Sequence, residues 1–217
     1  MDDLHLFIGN KCFSSWSLRP WVALKVHGIP FKETVIRLRQ PDTKANIRLL
    51  ARSEKVPCLH HGSRVIWESL SILEYLADIF PELKFWPEDR HARAMARSIS
   101  AEMHSGFADL RNEWGMNLRR KKVAKTLSGP ARDQARRIED YWRRIRSSHG
   151  QGGPFLFGHF TAADAMYAPV VTRFDTYGGD LLPDTRSYCD AVLATGAMKA
   201  WYAEAALEPW PEPSPDE

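Results

Sequence analysis

The hydrophobic pattern of the chain changes near residue 80, and this change limits the folds that the chain can adopt. Before that point, short apolar runs typical of strands alternate with helical patterns; from Ala92 onward, apolar residues recur only at helical spacing. The segment FPELKFWPEDR, at 80–90, separates the two parts with two prolines. We therefore predict an α/β domain at 1–80, a linker at 81–89, an all-α domain at 90–208 and a disordered, proline- and acid-rich tail at 209–217.

The first part carries the signals of a β-α-β unit followed by a hairpin and a helix. Alternating or continuous apolar runs indicate strands, and glycine-containing turns separate them from the helical patterns. The predicted elements in chain order are a strand at 4–8, a helix that begins near Ser17 and ends at Gly28, a strand at 31–38, an antiparallel hairpin within 55–67, and a helix at 70–80 capped by Ser69.

In the second part, Ile138, Tyr141, Trp142 and Ile145 mark one apolar helix face. The stretch from Thr161 to Asp164 has the spacing of a capping box, which predicts that another helix begins there.

Composition argues against several classes of partner. A formal net charge of +3 over 217 residues is too small to indicate nucleic acid or an anionic membrane, and no stretch approaches the roughly 18 apolar residues of a membrane span. The basic run at 119–125 lacks interleaved aromatic residues and is interpreted as a solvated loop. His60-His61 lacks further ligands at metal-site spacing, so we expect no metal.

The three cysteines form no C-x-x-C pair, and the chain starts with acidic residues instead of the basic flank of a signal peptide. Both observations favour a reducing compartment, and we expect a cytoplasmic protein.

Four motifs follow one another in an order that resembles the cytosolic glutathione transferases over nearly the whole chain. The stretch Ser14-Ser15-Trp16-Ser17-Leu18-Arg19 is similar to the S-S-C-S-x-R signature of the zeta class, and GIPF, KVP and ESLSILEYL come after it in the matching order. The resemblance implies a thioredoxin-like N-terminal domain that holds glutathione as co-substrate. It also implies a helical domain that shapes the pocket for a small electrophile, and a homodimer.

Such an enzyme must lower the pKa of the glutathione thiol, which is near 8.5 in the free peptide. Each unit by which this pKa falls requires that the thiolate be stabilised by about 1.4 kcal/mol relative to the thiol. Pro20 is best tolerated in the first turn of a helix, which places the helix start near Ser17 and leaves Ser14 and Ser15 just before it. Hydroxyls and free amides there can face one anion. We expect Ser14 to stabilise the thiolate with help from Ser15; alternatively, these serines only cap the helix.

The resemblance also implies subsites. Val56, before a Pro57 that is typical of a cis bond, would pair with the cysteinyl part of glutathione, and Glu68 with Ser69 would hold the γ-glutamyl group. Lys55 would reach the glycyl carboxylate, and His104 is a weaker glutathione-binding candidate. The candidates for the second-substrate pocket are Phe13, Arg111, Trp114, Met116 and Asn117.

Two positions differ from the zeta pattern. Trp21 stands where zeta enzymes carry a second arginine, and Thr176 where their substrate-binding arginine is expected, with Arg173 one turn short. These differences favour conjugation or isomerisation of a small hydrophobic electrophile over a maleylacetoacetate-type reaction.

Two other functions remain open. Cys12-Phe13-Ser14-Ser15 has the C-x-x-S pattern of monothiol glutaredoxins, which would make Cys12 the nucleophile of a thiol-disulfide or deglutathionylating enzyme, although Cys12 lies several residues ahead of the predicted helix. A non-catalytic interaction module of the same fold is the other alternative.

Overall fold

The computed structural model describes residues 3–179 and 181–210. All four strands of the sheet lie in the first third of the described chain, between helices, and the later part is built of helices and the loops that join them. The strands are β1 (Leu4–Gly9), β2 (Lys32–Ile36), β3 (Cys58–His61) and β4 (Arg64–Trp67). The helices are α1 (Ser15–Val26), α2 (Thr43–Arg48), α3 (Ser69–Ile79), α4 (Arg90–Ser105), α5 (Ala108–Glu113), α6 (Gly129–His149), α7 (Ala162–Tyr177), α8 (Pro183–Leu193) and α9 (Gly196–Leu207).

The four strands form one mixed sheet in the order β2-β1-β3-β4. β1 is parallel to β2, with His5 opposite Lys32, and antiparallel to β3, with Leu6 opposite Leu59. β3 and β4 form the predicted hairpin, whose turn contains Gly62 at a φ of 58°. A helical domain follows this sheet, so the predicted fold class, a thioredoxin-like domain joined to an all-α domain, is confirmed.

The start of α1 differs from the prediction. The helix begins at Ser15 instead of near Ser17, and Pro20 therefore lies inside the helix instead of in its first turn. The missing Pro20 N–H removes one bond to the preceding turn. The helix persists because it packs against both α3 and α7, and such packing supplies most helix stability in proteins.

The hydrophobic core crosses the predicted domain boundary. Trp21 of α1 and Trp201 of α9 are fully buried and meet edge to face, with ring centroids 4.9 Å apart. α1 also packs along α7, and the two helices are buried over most of their length. The division at 81–89 stays a prediction, and Phe85 and Trp86 within that segment are buried.

The helical part confirms two local predictions and modifies a third. Thr161 and Asp164 form the predicted capping box at the start of α7, and Ile138, Trp142 and Ile145 lie on the buried face of α6. The basic run forms a loop between α5 and α6, but several of its side chains are held: Lys122 pairs with Asp175 at 2.7 Å, and Arg119 donates to carbonyl groups after α9. Residues 211–217 of the predicted tail lie outside the described residues.

Candidate active site

A cavity of about 300 Å³ lies where the sheet meets the first turn of α1 and the end of α4. Its walls come from the segment before β3, the β4–α3 junction and one face of α4, so the fold brings together residues that are distant in sequence. The lining residues are Trp16, Lys55, Val56, Pro57, Glu68, Ser69 and His104. All six residues predicted to bind glutathione are among them.

The β4–α3 junction carries the polar wall of the cavity. Glu68 has a φ of 67° and is the N-cap of α3, so Ser69 is the first helical residue and not the cap that we predicted. Its side chain is 1% exposed, and its hydroxyl has no hydrogen-bond partner among the described residues. Because the first amides of a helix also lack intrahelical partners, this wall offers several donors to an anionic group.

His104 extends from α4 to the same wall. Its Nε2 lies 3.4 Å from Glu68 Oε2, and its Nδ1 is buried without a partner in the described chain. Burial lowers the pKa of His104, and the positive charges of Arg19 and Arg111 add to this effect against the attraction of Glu68. The lowered pKa favours the neutral imidazole, which competes less than an imidazolium with a ligand ammonium for the Glu68 carboxylate.

The segment before β3 forms the opposite wall. The Val56–Pro57 bond is cis, in agreement with the sequence-based expectation. Lys55 is exposed at the rim of the cavity, where its ammonium can meet a ligand carboxylate.

Ser14 and Ser15 do not line this cavity, although they immediately precede Trp16, which does. Ser14 is the N-cap of α1 and Ser15 its first residue; they are 6% and 8% exposed. The Ser14 hydroxyl donates to Ser17 Oγ at 2.8 Å, and the same oxygen accepts the Gly9 N–H at 3.0 Å. The structure thus places Ser14 in a chain of hydrogen bonds at the N-terminus of α1.

Cys12 lies in an environment that disfavours a nucleophile. The side chain is 2% exposed, and its Sγ donates to Asn117 Oδ1 at 3.4 Å. Burial raises the pKa of the Cys12 thiol despite nearby backbone donors, so the reactive thiolate is less populated than in a free cysteine.

Trp16 is surrounded by cationic side chains that the sequence analysis did not bring together. The guanidinium of Arg19 stacks on its ring at 4.0 Å, and that of Arg111 lies 5.4 Å from it. Arg19 is fully buried; its Nε donates to Met166 O, while its two terminal nitrogens have no partner within the described residues. Burial, and then Arg173 and Arg111, lower the pKa of Arg19. The i, i+3 spacing of Trp16 and Arg19 predicts their contact if both lie on one helix, but it carries no signal for Arg111.

The other second-substrate candidates are dispersed. Phe13 is half-buried with Arg39 5.6 Å from its ring, and Asn117 contacts Cys12. Trp114 and Met116 are 6% exposed and belong to the hydrophobic core, where Trp114 packs against Phe174.

The described residues contain no group of three His, Cys, Asp or Glu side chains that could hold a metal ion. His60 Nε2 contacts Leu50 O and His61 Nδ1 contacts Tyr75 Oη, which gives both residues of the histidine pair a structural partner. No helix in the described ranges is long and apolar enough to span a membrane.

Two family models match the chain. The glutathione S-transferase N-terminal domain matches residues 13–79, and the glutathione S-transferase C-terminal domain matches residues 89–204. Among solved structures, a Burkholderia glutathione transferase homologue with bound glutathione has a TM-score of 0.71 at 21% identity, over 95% of this chain and 99% of that one. A Sulfitobacter homologue with bound glutathione has a TM-score of 0.66 at 19% identity, over 95% of this chain and 100% of that one.

Curated relatives point to the same family. A probable maleylacetoacetate isomerase of Caenorhabditis elegans is 33% identical over 121 residues, or 56% of this chain and 55% of that protein. Glutathione S-transferase L2, chloroplastic, of Arabidopsis thaliana is 26% identical over 82% of this chain and 56% of that protein, so the chain spans little more than half the length of these two relatives. Maleylacetoacetate isomerase of Rattus norvegicus is 31% identical over 185 residues, or 83% of this chain and 81% of that protein. The chain belongs to the glutathione S-transferase family, and its similarity within that family is zeta-like.

Proposed function

We propose that this protein binds glutathione in the cavity of about 300 Å³ and activates its thiol with Ser14 for conjugation or isomerisation of a small hydrophobic electrophile. The observation that carries the proposal is the convergence of the six predicted glutathione-binding residues on one cavity. Glu68 and the start of α3 supply a carboxylate for an ammonium and donors for a carboxylate, which match the γ-glutamyl zwitterion.

The hydrogen-bond chain at α1 supports Ser14 as the thiolate donor. Each hydroxyl donates one hydrogen and accepts others, so Ser14 can turn its hydrogen to a sulfur anion while Ser17 donates to Ser14 Oγ. The hydrogen bonds then run in one direction, from Gly9 N–H to Ser17, from Ser17 to Ser14 and from Ser14 to the anion. Successive hydrogen bonds in such a chain polarise and strengthen one another. A hydrogen bond to a charged acceptor stabilises the thiolate by about 1.5–3 kcal/mol, and the helix terminus adds about 0.3–1 kcal/mol. Together these contributions are sufficient to lower the pKa of the glutathione thiol by about one to two units.

An anionic electrophile is the second candidate substrate, which would make the reaction an isomerisation like that named for the rat and nematode relatives. Arg19, Arg111 and Arg173 form no ion pair within the described residues, and the terminal nitrogens of Arg19 are unpartnered behind Trp16. Uncompensated positive charge beside Trp16, which lines the cavity, favours an electrophile that carries a carboxylate.

Ser14→Ala is the primary test. We expect it to lower kcat/KM with glutathione at least about tenfold, since the variant loses a hydrogen bond to a charged sulfur. Turnover should be measured with a chloronitrobenzene, maleylacetone and a mixed disulfide. The first two substrates separate conjugation from isomerisation.

Cys12→Ala is the matched variant and should retain activity with the first two substrates. If Cys12→Ala abolishes turnover of the mixed disulfide while Ser14→Ala spares it, the protein is a Cys12-dependent thiol-disulfide enzyme. If the folded protein is not retained on glutathione-agarose, it is an interaction module and the proposal is wrong.

We further propose a homodimer. Val65 and Trp67 on the edge strand β4 are 38% and 43% exposed, and Met95 on α4 is 45% exposed, so apolar side chains of both halves of the chain are uncovered. Light scattering after gel filtration should give twice the mass of the chain, and Trp67→Lys should lower it; a monomer at micromolar concentration would contradict the proposal.

The three cysteines are free, which supports a cytoplasmic location as part of the same proposal.

A further inference from the structure

The loop from Asn10 to Ser14, which carries the proposed thiolate donor, is bonded on one side to its own domain. Asn10 O accepts the N–H of Ser14 at 2.8 Å, and Asn10 Oδ1 accepts the N–H of Leu38 at 2.8 Å. The first bond closes the loop on itself, and the second joins its start to the segment after β2; neither involves Lys11 or Cys12.

The Lys11 and Cys12 amides are bonded instead to one carboxylate beyond the end of α9. Lys11 N–H donates to Glu208 Oε1 at 2.5 Å, and Cys12 N–H donates to Glu208 Oε2 at 3.1 Å. A carboxylate that accepts two successive amides fixes the orientation of the peptide between them, and bonds to a charged acceptor are the stronger kind.

The carbonyl groups of the same two residues are also bonded to the helical domain. Lys11 O accepts from Trp201 Nε1 at 2.9 Å, and Cys12 O accepts from Leu118 N–H at 3.0 Å. All four main-chain polar groups of this dipeptide are therefore satisfied by residues that lie more than 100 positions away.

Glu208 is itself held in place. The guanidinium of Arg119 donates to Ala205 O at 3.2 Å, to Trp210 O at 2.6 Å and to the carbonyl of Glu208. These acceptors are at or just after the end of α9, where carbonyl groups lack intrahelical donors. Arg119 thus fixes the backbone from which the Glu208 carboxylate reaches the loop.

We propose that Glu208 is a positioning residue for the reaction: its carboxylate holds the Lys11–Cys12 backbone so that Ser14 stays directed at the glutathione sulfur. This inference rests on the proposed function. A misplacement of about 1 Å can reduce a rate by about 100-fold, so a loop only two residues from Ser14 needs such an anchor. The glutathione subsite at Glu68 and Ser69 includes neither Glu208 nor the two residues that its carboxylate contacts.

Glu208→Ala tests the proposal. The variant leaves the amides of two buried residues, Lys11 and Cys12, without their acceptor. We expect the loop to shift towards water, which moves the Ser14 hydroxyl away from the glutathione sulfur. We expect kcat at pH 6.5 to fall about tenfold. This decrease corresponds to a rise of about one unit in the pKa of the bound glutathione thiol, which can be measured from the ultraviolet absorbance of the thiolate. The KM for glutathione should change by less than about twofold, because its subsite is intact.

Glu208→Gln keeps the size of the side chain and one acceptor oxygen, so its effect should lie between wild type and Glu208→Ala. Glu204→Gln is the matched control: it removes an equal charge from α9, where Glu204 pairs with the Lys11 ammonium, but leaves the Lys11 amide bonded. If Glu208→Gln and Glu204→Gln changed kcat and the thiol pKa equally, the loss of charge alone would explain the effect and the proposal would be overturned.

Amide hydrogen exchange in the ligand-free protein separates this proposal from the proposed function. Exchange at Lys11 and Cys12 should accelerate in folded Glu208→Ala and not in Glu204→Gln. If the wild type lacks glutathione turnover but exchange accelerates as expected, the proposed function fails and the anchoring of the loop stands. If exchange, thiol pKa and kcat are all unchanged in a folded Glu208→Ala protein, the positioning role is refuted.

Discussion

At the residue scale, Ser69 combines full burial with an unpartnered hydroxyl on the wall of the candidate site. A buried hydroxyl without a partner destabilises the free protein by its lost hydration, and a ligand that accepts from it recovers that energy. Ser69→Ala should therefore leave the thermal midpoint unchanged or raise it, while raising the KM for glutathione about three- to tenfold. Both quantities can be measured on the same preparation.

Ser100→Ala provides the comparison, because Ser100 is equally buried in α4 but its hydroxyl donates to Ala96 O at 2.7 Å. This variant should lose stability without a change in the KM for glutathione. If Ser69→Ala behaved in the same way, Ser69 would be a structural serine and the polar wall would not hold the ligand.

Residues that belong to short motifs could be predicted from the sequence, whereas residues that act across the fold could not. Lys55, Val56 and Pro57 are adjacent in one motif, and the structure places them together on the cavity. Glu208 contacts Lys11 from 197 positions away, and a lone glutamate before a proline carries no local pattern that indicates such a contact. Arg19 belongs to a recognisable motif, but its burial and its unpartnered terminal nitrogens follow from the packing of α7 against it.

At the element scale, periodicity and capping signals predicted the strands, the hairpin and the helices α1, α3, α6 and α7, but local rules misplaced the start of α1. The preference of proline for a first turn suggested Ser17, whereas packing of α1 against α3 and α7 holds the helix from Ser15. Ser14 is therefore the N-cap and lies closer to the positive end of the helix than the sequence implied. The short helix α2 had no periodic signal, because six residues provide less than two turns.

At the scale of the whole molecule, the two predicted domains share one core. The contacts that join them include the buried pair Trp21–Trp201 and the bond from Arg19 Nε to Met166 O, in addition to the Glu208 contacts. The sequence indicates where the strand pattern ends, near residue 80. One cluster of buried hydrophobic residues nevertheless includes residues from both sides of that point. Neither part can bury its half of this interface alone, so their stabilities are coupled.

We therefore expect one cooperative unfolding transition for the whole chain. In urea, the far-ultraviolet circular dichroism and the tryptophan fluorescence should give coincident curves, as in two-state unfolding. Trp201→Ala, which empties the contact with Trp21, should lower the free energy of unfolding by about 3–5 kcal/mol. Hydrogen exchange of peptides from β1 and from α6 should accelerate together in this variant, since both depend on the same core. Separate transitions, or faster exchange in the helical peptides alone, would show that the sheet and the helices are independently stable and that the shared core does not couple them.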